Sequence, residues 1–358
     1  MRTQKPTRLN VIDSRRHELA QSKVKGISVL ATAAAVGLDT KRDYGRRLAR
    51  FKEYCLTEDI AVSFENMDIL DDALTEYFDH AYLEEHHDVD TGSKLIAAIQ
   101  DAFPKLARAH NRGLLPVSYR ALQGWGRLHP PGIGETLPIE GVAGICTEMI
   151  KSKLDECALM TTLAADTFLR PGVVASLRCE DIIPGSTRIR SFGHASILLH
   201  PFSRGVPSKQ GKFNLSVVLD HPKRQWLTKL LLTHRANRIA QCGASAPLFH
   251  TTMTVWRRHF LQVADGLGIS IRTLYCLRHA GASDCFLSQA RTLAEIKRRG
   301  HWENDRSVKR YEQAAASRAM VNGWTLRLRE HLELCHEHWQ QIMTKQILAP
   351  RFTRAKKV

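Results

Sequence analysis

Few residues in this chain have both the type and the spacing to act on a phosphodiester. Near the C-terminus stand Leu277-Arg278-His279, then Gly300-His301-Trp302, then Arg310-Tyr311. Far upstream lies Phe168-Leu169-Arg170-Pro171-Gly172, followed by Leu177-Arg178 and Asp181. Cleaving a phosphodiester without a metal needs a nucleophile, cations on the non-bridging oxygens and an acid for the departing 5′ oxygen. A planar guanidinium meets two oxygens at once and stays charged. Lysine or histidine suits the acid role when its pKa is tuned. Two distant arginines with a tyrosine downstream of both point to DNA strand cutting through a phosphotyrosine.

The elements that must position these groups can be read from local signals. Tyr44, Leu48, Phe51 and Cys55 fall on one face of a helix, with Asp39 or Thr40 as its cap. Arg42, Arg46, Arg47 and Arg50 lie off that face, toward a phosphate backbone or solvent. Further helical stretches near 68–84, 92–111 and 116–127 suggest a small bundle. Leu128-His129-Pro130-Pro131-Gly132-Ile133-Gly134 breaks any helix and reads as a linker. The second half opens with helices near 139–150 and 153–168. Arg170 precedes a proline, which excludes it from the helix and suits Pro171 to a new first turn, so Arg170 belongs at a bend. Ala195–His200 and Phe213–Asp220 read as strands around the basic hairpin tip 203–212, which holds Lys209 and Lys212. Helices are expected near 222–240, 252–266, 273–288, 292–299, 306–320 and 325–348. Thr292-Leu293-Ala294-Glu295 is a capping box, and Gly300 suits the residue just past that helix. In the last helix Leu328, Leu332, Cys335, Trp339 and Met343 form an apolar stripe, expected on its own domain or on a neighbouring copy.

Bulk properties bound the partner. The 358 residues carry 52 Lys and Arg against 36 Asp and Glu, a formal net charge of +16. Such a balance favours polyanions, nucleic acid first. The eight cysteines are scattered without a Cys-x-x-Cys pair and read as reduced, mostly buried thiols of an intracellular protein; a DNA-acting chain of that kind is expected in the nucleus or the nucleoid. Cys335-His336-Glu337-His338 lacks a second ligand pair at zinc spacing. No run of apolar residues is long enough for a membrane span.

Arg170, Lys209, Arg278, His301 and Tyr311, taken in order, resemble the tyrosine recombinase (phage-integrase-like) family. The strings FLRPGVVASLRCEDI, LYCLRHAGAS and KRRGHWENDRSVKRYEQ are similar to its three boxes. Thr40, Tyr44, Leu48 and Phe51 are similar to the opening helix of its core-binding domain. The resemblance implies a mainly α fold with a small antiparallel β-sheet. It implies a flexible basic leader over 1–28 and a helical core DNA-binding (SAM-like) domain over 29–130. A linker over 131–137, an α+β catalytic domain over 138–349 and a basic tail over 350–358 would follow. Tyr311 would attack and keep a 3′-phosphotyrosine, Arg170 and Arg278 would clamp the phosphate, and His301 would bond a non-bridging oxygen. Lys209 would be the acid, with Lys212 as its rival. Arg42, Arg46 and Lys212 are candidate DNA contacts. No cofactor is implied. The partners would be double-stranded DNA and further copies of the chain, a tetramer on paired sites.

Two positions depart from that pattern. Tyr275 stands where the second box usually has histidine, and a phenol is a poor base near neutral pH. Val173 stands where a glutamate is common. The implied activity is site-specific strand breakage and rejoining. Its alternatives are a domesticated DNA-binding protein with a dead site and a type IB topoisomerase-like relaxase.

Overall fold

The computed structural model describes residues 20–21, 36–106, 114–129, 137–186, 188–189, 193–208, 210–309, 311 and 314–347. The chain divides into two compact units, Met1–Ile133 and Gly134–Val358. The fold is mainly α with one small antiparallel sheet. The tail over 350–358, the leader over 1–28 except 20–21, and the linker over 131–137 except Leu137 lie outside the described residues.

The first unit holds α1 (Leu38–Thr57), α2 (Met67–Leu83), α3 (Asp90–Ala102) and α4 (Pro116–Leu128). The expected stripe of α1 is inward: Phe51 and Cys55 are buried and Leu48 packs against the same core. Its expected cap is not used. The helix begins at Leu38 with Gly37 as N-cap, and Asp39 instead pairs with Arg42 in the first turn. Helix α2 is capped by the Asn66 side chain, which accepts from the amides of Asp68 and Ile69. Buried Asp71 of α2 accepts from the amides of Val117 and Ser118 at 2.9 and 2.8 Å. It thereby satisfies orphan donors at the start of α4 and ties two helices together. The stretch expected as helix over 92–111 ends its α-helix at Ala102 and turns through Pro104–Leu106, with 107–111 outside the described residues.

The second unit runs α5 (Ile139–Lys151), α6 (Asp155–Thr167), α7 (Pro171–Ala175), β1 (Ile182–Ile183), β2 (Ser196–Leu199) and β3 (Leu215–Val218). It continues with α8 (Gln225–Cys242), α9 (Met253–Gly266), α10 (Cys276–Leu287) and α11 (Leu293–Arg299). Helices α12 (Arg306–Lys309), α13 (Ala314–Gly323), α14 (Leu326–Glu337) and α15 (Trp339–Ile347) complete it. The sheet order is β1-β2-β3, with Ile182 opposite Ile197 and Ile197 opposite Val217. Those three side chains face the core and Val218 faces outward, so the alternation of β3 is real although both faces carry valine. The short β1 carries too few residues to show a period in sequence.

Helix α10 lies against α6 because Gly281 has no side chain. A Cβ there would stand 1.7 Å from the Ala165 carbonyl oxygen, a backbone atom that cannot move aside. Over the expected helix 306–320 the described residues hold α12, Tyr311 and α13, with 310, 312 and 313 outside the described residues. The expected helix over 325–348 is split at His338. Leu332, Trp339 and Met343 are buried in the unit's own core and Leu328 packs against it, so the apolar stripe is already covered. All eight cysteines are free, and Cys242 alone is exposed. No helix among the described residues is long and apolar enough to cross a membrane.

Candidate active site

Helix α6 ends at Phe168, whose backbone is left-handed at φ 56°. A bulky residue held there is strained by roughly 1–2 kcal/mol. The turn frees the Phe168 carbonyl and leads directly to Arg170, which is extended at φ −64°, ψ 137° and immediately precedes the first turn of α7. Arg170 is half-buried, and among the described residues no carboxylate pairs with it.

Arg278, one turn into α10, is 2% exposed. Its guanidinium donates to the carbonyls of Phe168 and Gly300, and its Nε is buried with no hydrogen-bond partner among the described residues. Again no carboxylate pairs with it. The indole of Trp302 lies over its face, 4.0 Å from the ring centroid. Burial pushes its pKa down to about 10; the Tyr275 phenol opposes that shift and the charge of Arg170 adds to it. It remains a cation at neutral pH. A buried cation held by neutral carbonyls is a costly arrangement that a bound anion would relieve.

The turn after α11 is built differently from the sequence expectation. The capping box at its start is formed, with the Thr292 hydroxyl accepting from the Glu295 amide and Glu295 reaching back to Thr292. At its end Gly300 keeps a right-handed backbone, and the left-handed residue is His301 at φ 52°. The His301 amide bonds the Arg298 carbonyl and the Trp302 amide bonds the Lys297 carbonyl, which is a Schellman ending with histidine in the usual place of glycine. Gly300 has another job: a Cβ there would sit 1.9 Å from the Trp302 ring. His301 Nε2 is buried without a hydrogen-bond partner among the described residues. Burial lowers the His301 pKa, and Arg278, Arg170, Lys212 and His200 lower it further. These same electrostatic contacts gather Arg170, Arg278, His301 and Lys212 into one neighbourhood.

Lys212 lies just after the hairpin tip, where Gly211 takes φ 74° and the Ser208 amide bonds the Lys212 carbonyl. Its ammonium pairs with Glu303 at 2.8 Å, both side chains about half exposed. Lys209 lies outside the described residues. A cavity of about 720 Å³ adjoins the cluster, lined by Lys212, Lys297, Arg298, His301 and Trp302 among others.

Tyr311 is 3% exposed, in a small apolar cluster with Phe168, Ala282, Cys285, Ile296 and Val308. Its hydroxyl lies 2.8 Å from His279 Nδ1, and its ring is 5.5 Å from that of Trp302. Tyr275, at the start of α10, is 38% exposed, with its ring edge-on to His279 at 5.0 Å. His279 therefore points at Tyr311. Trp302 touches Arg278, Phe168 and Tyr311. His200, at the end of β2, was not marked by any motif; burial lowers its pKa and Arg170 lowers it further. No local signal in the sequence shows these three contacts. Arg42 and Arg46 are on the first unit, exposed and paired with Asp39 and Asp43.

One group among the described residues has the atoms for a metal site: His221, Asp284 and Cys285, with ligand atoms within 4.8 Å of one another. Asp284 is already bonded by Arg224 at 2.8 Å, so its carboxylate faces a guanidinium, which opposes a second cation there.

The chain is similar to a solved XerA recombinase, at 15% identity over 81% of this chain and 93% of that one, with a TM-score of 0.40. It is also similar to XerH site-specific recombinase bound to difH substrate in a pre-cleavage complex, at 13% identity, 90% and 98% coverage and a TM-score of 0.39. The XerH post-cleavage complex with palindromic difH gives 13% identity, 90% and 97% coverage and a TM-score of 0.42. No family model matches the sequence, and no curated protein matches it.

Proposed function

We propose that this protein is a site-specific DNA recombinase that breaks and rejoins strands through a 3′-phosphotyrosine on Tyr311. The observation that carries the reading is Arg278: a deeply buried guanidinium with neutral partners, beside Arg170, His301 and Lys212. Four groups that donate hydrogen bonds or positive charge, with no carboxylate on either arginine among the described residues, suit the oxygens of a phosphodiester. Arg170 and Arg278 hold the non-bridging oxygens, and His301 Nε2 takes up a further contact. Tyr311 Oη attacks phosphorus, and a lysine of the hairpin, Lys209 or Lys212, protonates the leaving 5′ oxygen. The phosphotyrosine keeps the bond energy, so a 5′-hydroxyl of another strand can reverse the step without a nucleotide.

Duplex DNA is the proposed partner, with the +16 charge of the chain supplying sequence-independent attraction. Recombination on paired sites calls for several copies, a tetramer in this reading. A test is covalent capture on a nicked suicide duplex. The wild type is expected to yield a protein–DNA adduct and Tyr311→Phe none. Salt-sensitive DNA binding with no adduct from either would make it a binding protein without strand chemistry. Supercoil relaxation by the monomer would make it a relaxase.

A further inference from the structure

We infer that His279 is the general base for Tyr311, a role that rests on the phosphotyrosine reading. The second box carries Tyr275 at its first position, and a phenol cannot take a proton near neutral pH. An imidazole stands beside the nucleophile instead, reached from one turn further along the same helix. His279 Nδ1 is 2.8 Å from Tyr311 Oη, within the range of a proton-transferring hydrogen bond. Both side chains are buried, His279 at 5% and Tyr311 at 3% exposure, so bulk water does not compete for the phenol proton. Gly281 fixes the height of α10 on α6 and hence that of His279. The charged and titratable groups near the pair include Tyr275, edge-on to His279, Arg278, whose charge bears on both tyrosines, and the buried Cys285 thiol in the cluster that holds Tyr311.

In the tautomer with its proton on Nε2, His279 accepts the phenol O–H at Nδ1. As the Oη–phosphorus bond forms, the phenol proton passes to Nδ1 and the bond from phosphorus to the 5′ oxygen breaks. That oxygen takes a proton from the hairpin lysine. In the reverse step the incoming 5′-hydroxyl returns its proton to the lysine, and imidazolium reprotonates the released phenol. No redox change or co-reactant is involved.

The experiment is single-turnover cleavage of the suicide duplex by the full chain against pH, with wild type, His279→Ala and His279→Asn. Asparagine keeps a hydrogen-bonding group near the phenol but cannot take its proton. Both variants are expected to cleave roughly 10²-fold slower or worse at neutral pH, with rates that climb as pH rises, because the phenol then loses its proton without the imidazole. Added imidazole is expected to restore part of the rate to His279→Ala. Wild-type rate and pH profile in His279→Asn would overturn the base role alone. So would slowing in both variants with an unchanged profile and no imidazole rescue, the mark of a packing residue. Absence of any wild-type adduct would overturn the phosphotyrosine reading itself and the base with it.

Discussion

Two sets of buried and half-buried arginines in the second unit are treated in opposite ways. In one, Arg224 bonds Asp166 and Asp284, each at 2.8 Å. Arg299 bonds Asp166 and Asp220, and Arg291 also bonds Asp220. Three guanidiniums meet three carboxylates. Burial pushes the Asp220 carboxyl up, but Arg299 and Arg291 outweigh it and hold its pKa below the ordinary value. In the other set, Arg278 and Arg170 have no carboxylate partner among the described residues, and Arg278 is held by carbonyls and an indole. The first set is internally neutral and pins α6, α10, α11 and the end of β3 together. The second leaves its charge uncancelled, and in the proposed function an anion from outside meets it. Burial alone does not separate them, since Arg278 is less exposed than Arg224 or Arg299. What separates them is the counter-charge.

That contrast can be broken from either side. Asp166→Ala strips the shared carboxylate from Arg224 and Arg299, and urea unfolding is expected to show a loss of about 3–5 kcal/mol. Arg278→Gln removes a cation that no carboxylate depends on. It is expected to slow covalent capture by roughly 10²–10³ while the urea midpoint moves far less than in Asp166→Ala. Equal destabilisation by the two substitutions would erase the distinction. A smaller effect sharpens it through pH. His221, buried beside the neutral set, has its pKa lowered to about 4 by burial first and Arg224 second. Between the ordinary histidine value and about pH 4 the unfolded chain binds a proton that the folded chain refuses. Stability is therefore expected to fall as pH drops through that window, by on the order of 3 kcal/mol. His221→Asn should flatten that slope in urea melts at stepped pH.

Much of the fold was legible because its signals are local. The apolar spacing of Phe51 and Cys55, the Thr292–Glu295 capping box and the bend at Arg170-Pro171 each depend on a few neighbouring residues. Expectations failed where a distant group intervened. Gly300 looked like the left-handed residue after α11, but Trp302 folds back over it and His301 takes that conformation. The long helix expected over 325–348 is broken at His338, since apolar periodicity runs through a break that keeps the same face inward. The contact of His279 with Tyr311 was not legible, because helical spacing says nothing about a tyrosine 32 residues later.

The order and types of Arg170, Arg278, His301 and Tyr311, the basic hairpin between them and the net charge are properties of the sequence itself. They define which chemistry the chain has the groups to attempt. Only the tertiary structure decided which arginines are neutralised and which imidazole faces the phenol. The physical reason is range: Arg278 finds the Phe168 carbonyl 110 residues away and Arg299 finds Asp166 133 residues away. A charge is cancelled or left open by neighbours in space, and those are set by how the helices pack.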